Sequence, residues 1–104
     1  MPLYKTALLS AIILLYWPAA AVAQTNDQQV MQAIAAHNAG RLDQAISLLE
    51  ALDRTRGDDA TTLRLLGSYY AAARRYREGI ATLERARALA PHDQDIALAL
   101  ARAR

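Results

Sequence analysis

Two histidines, three serines, an aspartate pair and an arginine cluster are the groups in this chain whose chemistry could matter. His37 and His92 are far apart in sequence and there is no cysteine, so neither belongs to a metal-ligating constellation. Ser47 and Ser68 have no His or Asp at a spacing that would activate a hydroxyl as a nucleophile, and Ser10 falls in an apolar leader. With four glycines the chain has no phosphate-cradling loop. Asp58 and Asp59 read as carboxylates capping the start of a helix. Arg74, Arg75 and Arg77 read as cations complementing a helix C-terminus on a solvated edge; the sharper reading is a patch for an acidic partner, anionic lipid or polysaccharide. The expectation is no catalysis, no metal and no cofactor.

The elements that would position these groups can be derived from composition and spacing. At 104 residues the chain is one domain at most, and 54% apolar content excludes a disordered tail. Zero cysteine excludes a disulfide framework. Twelve cations against ten acids leave a net charge of +2, too balanced for a nucleic-acid binder.

The first stretch reads as a targeting signal. Lys5 supplies a positive start, Ala7 to Trp17 is apolar apart from Ser10, Pro18 breaks any helix, and Ala21-Val22-Ala23 offers small residues to a signal peptidase. Residues 1–23 are therefore expected to be a signal peptide, with Gln24 the first mature residue. An uncleaved anchor is the rival, but the apolar core is shorter than the ~20 residues that span a bilayer. The expected location is the periplasm of a Gram-negative bacterium or the exterior.

Residues 24–104 carry an internal repeat. Shifted by 34, Ala33 meets Gly67, Ala36 meets Tyr70, Leu42 meets Tyr76, Ala45-Ile46 meets Gly79-Ile80, Leu49-Glu50 meets Leu83-Glu84 and Leu52 meets Ala86. Such a period marks a stacked array. Leu42, Ala45, Ile46, Leu49 and Leu52 form one stripe of a helix, and Tyr76, Gly79, Ile80, Leu83 and Ala86 repeat it. Turns are expected at Ala39-Gly40-Arg41, Gly57-Asp58-Asp59 and Pro91, with Asp93 capping the last helix. The spacing predicts helices near 27–38, 42–54, 60–73, 76–90 and 94–104, an all-α chain.

In 60–93, Leu63, Leu66-Gly67, Tyr70, Tyr76, Gly79, Leu83, Ala86 and Pro91 fall at the signature positions of the tetratricopeptide repeat family, which the chain resembles. Leu63 stands where a Trp is usual. In 26–59 the second helix matches through Gly40, Leu42, Ala45, Ile46 and Leu49, whereas Gln29 and Gln32 occupy core positions of the first helix and Gly57 replaces the proline. The resemblance implies a helical hairpin array of two repeats, 26–59 and 60–93, plus a terminal helix 94–104. It also implies a concave groove that takes a protein or peptide segment, with His37, Asn38, Arg64, Ser68 and Arg102 on its surface. The positions that hold a terminal carboxylate in the cochaperone members carry Val30, Ile34 and Leu65, so that ligand is not expected.

The array reads as capped at its start and open at its end. Ala97, Leu100 and Ala101 keep the signature register, while Ile96 and Leu98 are expected on faces awaiting a missing helix or the groove. Three readings are open: an exported binding scaffold, with self-association through 94–104 available to it; the periplasmic leader of an outer-membrane β-barrel for polysaccharide export, which the stretch 89–103 would suit; or a signal-anchored inner-membrane scaffold, in which alone a membrane takes part. Intact-mass analysis of exported protein is expected to begin at Gln24, and a mass that retains Met1 overturns the cleavage site.

Overall fold

The computed structural model describes residues 26–104, so the expected leader and its cleavage site lie outside the described residues. Five helices make up the described chain: α1 (Asn26–Asn38), α2 (Leu42–Arg56), α3 (Ala60–Ala72), α4 (Tyr76–Leu89) and α5 (Gln94–Ala103). Among these residues there is no strand. Consecutive helices pack on one another, and α5 also packs on α3. Because the connections are only three or four residues long, neighbours run antiparallel. α1, α3 and α5 begin 34 residues apart, as do α2 and α4.

The recurrence reaches individual backbone hydrogen bonds. In the first turn the Gly40 N–H donates to the His37 carbonyl and the Arg41 N–H to that of Ala36; in the second, Arg74 donates to Ala71 and Arg75 to Tyr70. Both turns need a left-handed residue at the same place. Gly40 supplies it with φ 80°, whereas Arg74 adopts φ 64° and bears a cost of about 1 kcal/mol for its Cβ. Gly57, with φ 77°, closes α2 by donating its N–H to the Asp53 carbonyl.

The caps divide. Asp93 accepts from the N–H groups of Asp95 and Ile96, as expected. Asp59 occupies the N-cap of α3 but makes no bond to its backbone; its carboxylate accepts from the Thr62 hydroxyl at 2.7 Å and pairs with Arg56 at 3.4 Å. α2 runs through Arg56, beyond the expected 54.

Two apolar clusters share α3 between them. Leu66, Tyr69 and Tyr70 join Ala33, Ala36, Ala45, Ile46 and Leu49, whereas Leu63 joins Leu83, Ala86, Ile96, Leu100 and Ala103. α3 and α4 cross at Gly67 and Gly79: a Cβ on Gly67 would stand 2.5 Å from Leu83 Cγ, and one on Gly79 would stand 2.9 Å from the Gly67 carbonyl oxygen. The first hairpin places Ala33 and Ala45 at the equivalent points, both wholly buried.

Polar links join one hairpin to the next. The Tyr70 hydroxyl donates to Glu50 Oε2 at 2.7 Å, and 34 residues on Arg104 donates to Glu84. Arg85 reaches from α4 to Asp53 of α2 with two bonds of 3.1 Å. Burial, followed by the hydrogen bond to Glu50 and the Glu50 charge, pushes the Tyr70 hydroxyl up to about 12.

The expectations for Ile96, Gln29 and Gln32 are corrected. Ile96 is not on an open face but fully buried, because α3 and α5 each have a second stripe that packs back on the preceding hairpin; Leu98 is 51% exposed, as expected. Ala97 and Ala101 keep the register of Leu63 and Gly67 and are exposed, on the side from which α3 receives α4. Gln29 is half-buried and Gln32 exposed, since both line the shallow seam between α1 and α2 with Leu48 and Leu52 instead of entering the core.

Gly67→Ala and Gly79→Ala are each expected to lose about 1–3 kcal/mol of stability in urea melts despite alanine's higher helix propensity. Gly79→Ala should be the worse, because its obstacle is backbone; an unchanged midpoint would mean the helices cross elsewhere. The Tyr70 hydroxyl is more acidic in the unfolded chain, near 10, than in the folded one. Its contribution is therefore complete below pH 10 and is lost as pH rises from 10 towards 12. Tyr70→Phe should cost about 1–2 kcal/mol at pH 7 and flatten the loss between pH 9 and 11.5.

Candidate functional site

The inner helices α1, α3 and α5 carry the five expected groove residues. His37 and Asn38 end α1, Arg64 and Ser68 occupy the middle of α3, and Arg102 lies in the last turn of α5. Arg64 and Ser68 are half-buried, and the other three are exposed.

The structure draws four of them into two adjoining groups. His37 stacks on Tyr69 with centroids 4.5 Å apart and planes within 7°, which fixes the imidazole against the α1–α3 junction. Arg64 belongs to the same group: burial raises the Tyr69 hydroxyl above its ordinary range, and the Arg64 charge works against that rise. In the second group Ser68 and Arg102 meet across an open pocket of about 320 Å³, completed by Ala71, Tyr76 and Ala99. Among the described residues, no side-chain hydrogen bond, ion pair or ring contact ties Asn38 to either group.

Tyr69 and Tyr76 are thus the site residues that spacing alone does not reveal. Tyr69 is the third member of the stripe Thr62, Leu66, Tyr69 at i, i+4 and i+7, all buried. That stripe identifies it as the residue that touches the preceding hairpin. Tyr76 belongs by spacing to the core stripe of α4, yet it is 49% exposed and faces the pocket. Val30, Ile34 and Leu65 are half-buried apolar side chains, as unsuited to holding a carboxylate as their types imply.

Arg64 and Arg102 have no ion-pair partner among the described residues, whereas Arg56, Arg75, Arg85, Arg87 and Arg104 each have one. An unpaired guanidinium keeps its five donors for water or a ligand. The groove therefore offers two such cations, a stacked aromatic pair and two hydroxyls. A second pocket, of about 260 Å³, lies where Asp27, Val30 and Met31 of α1 meet Arg56, Asp59 and Thr61. Among the described residues, no three His, Asp or Glu side chains come together to hold a metal ion, and no helix is long and apolar enough to cross a membrane.

No family model and no curated protein matches the chain.

Proposed function

We propose that this chain is an exported, non-catalytic interaction module built as a tetratricopeptide-type array, which holds an extended or helical segment of a protein partner against α1, α3 and α5. The observation that carries this reading is the unpaired state of Arg64 and Arg102 on the inner helices, beside the His37–Tyr69 stack and the Ser68–Tyr76 pocket. Extended peptides bind such surfaces through a few anchoring side chains, and a guanidinium with free donors is among the strongest anchors a groove can offer. The 34-residue recurrence of helix starts, turns and inter-hairpin links supports the array architecture. The apolar leader with its Ala21-Val22-Ala23 site supports export, with the periplasm as the place of action.

The full chain carrying both Arg64→Ala and Arg102→Ala is expected to bind its periplasmic partner at least about tenfold more weakly, with helicity by circular dichroism unchanged. Equal affinity in the double variant removes the groove assignment. A loss of helicity would point instead to Arg64 as a packing residue, and the Arg102→Ala single variant, exposed and in the last turn of α5, then decides the matter.

A further inference from the structure

The antiparallel order of the helices segregates charge. Turns 39–41 and 73–75 share one end of the array, and turns 57–59 and 90–93 share the other. The first end carries Arg41, Arg74, Arg75 and Arg77 against Asp43 and Glu78. At the opposite end Asp58, Asp59, Asp93 and Asp95 outnumber Arg54, Arg56 and Arg87.

Within the basic end, Arg75 is occupied. Its guanidinium grips Glu78 with bonds of 2.8 and 2.5 Å and lies 4.6 Å above the Tyr70 ring. Arg41, Arg74 and Arg77 are exposed and without an ion-pair partner among the described residues. Tyr76 stands beside them, half exposed. Arg74 also holds the left-handed position that Gly40 fills in the equivalent turn, which puts a cation at the tip where glycine would be less strained. Arg41 and Arg74 stand on two separate turns and Arg77 in the first turn of α4, without converging on an enclosed cavity, an arrangement suited to an extended anionic surface more than to a single carboxylate.

We propose that this basic end docks the domain on a membrane of anionic phospholipid, with Arg41, Arg74 and Arg77 at headgroup level and Tyr76 next to them. The contact shares Tyr76 with the pocket on the inner helices, uses none of the groove cations Arg64 and Arg102, and does not require that the leader be retained.

The test is sedimentation of the full chain with vesicles of phosphatidylglycerol and phosphatidylcholine in equal parts, compared with phosphatidylcholine alone, at low salt. Any adhesion of the apolar segment 7–17 would be common to both kinds of vesicle, so the readout is the ratio of the two affinities and its change between variants that share that segment. An anionic preference on the order of a hundredfold is expected, falling about fivefold for Arg74→Gly and again for Arg77→Gln. It should vanish near 1 M salt, where the Debye length is about 3 Å. Arg74→Gly should meanwhile raise the melting temperature by a few degrees, so that loss of binding cannot be put down to unfolding. Arg54→Gln, which removes an exposed cation from the opposite end, should leave the ratio unchanged. A ratio near one for the unaltered chain overturns the proposal, as does an equal loss in Arg54→Gln. So does retention on polyglutamate without any vesicle preference, which would assign the patch to an acidic polypeptide.

Discussion

At the crossing of α3 and α4 the backbones of Gly67 and Gly79 approach so closely that neither position has room for a methyl group. Everything that gives the second hairpin a usable surface depends on this contact. It brings α4 down onto α3, which buries Leu63, Leu83 and Ala86 and leaves one platform on which Ile96, Leu100 and Ala103 of α5 can settle. Only when α5 is seated does Arg102 come opposite Ser68. The inner surface is thus a product of how near an outer and an inner helix can lie, and its polar residues contribute little to holding it together.

Above this apolar frame the polar contacts form a second layer. Glu50 and Glu84 each stand ready to accept from the next inner helix, and the donor is a phenol in one case and a guanidinium in the other. Arg85 and Asp53 tie the outer helices together. Arg56, Arg75, Arg85 and Arg87 on the outer helices and at the joints are neutralised by such neighbours, while Arg64 and Arg102 on the inner helices, like Arg41, Arg74 and Arg77 at the basic end, are not. The exposed Arg85–Asp53 pair is weak on its own, whereas the part-buried Tyr70–Glu50 bond also contributes to stability.

Much of the helical layout could be read from spacing alone, because the periodic stripe and the punctuation at Gly40, Gly57 and Asp93 act locally. The residues that spacing misplaces are those with two neighbours to satisfy. The register that faces a helix's own hairpin partner leaves Ile96 outside, but a second stripe faces the hairpin before it; Thr62, Leu66 and Tyr69 show the same second stripe on α3. Tyr76 keeps its place in the repeat but turns its ring to the pocket, since the helix begins there and its first turn is only half covered. Gln29 and Gln32 sit at formal core positions, yet α1 has no preceding hairpin to cover them among the described residues. Which inner cations would remain unpaired was not legible either, for it depends on acids brought close by packing, such as Asp53 for Arg85, 32 residues away in sequence.

The joint between Glu50 and Tyr70, repeated between Glu84 and Arg104, has a consequence for how such a chain can grow. Each hairpin offers the same acceptor to its successor and asks only for a hydrogen-bond donor twenty residues on. The coupling is generic, so a block of 34 residues could be duplicated or removed without redesigning the seams on either side. Length is then free to vary by genetic copying, and the curvature presented to a partner becomes a property of the number of blocks.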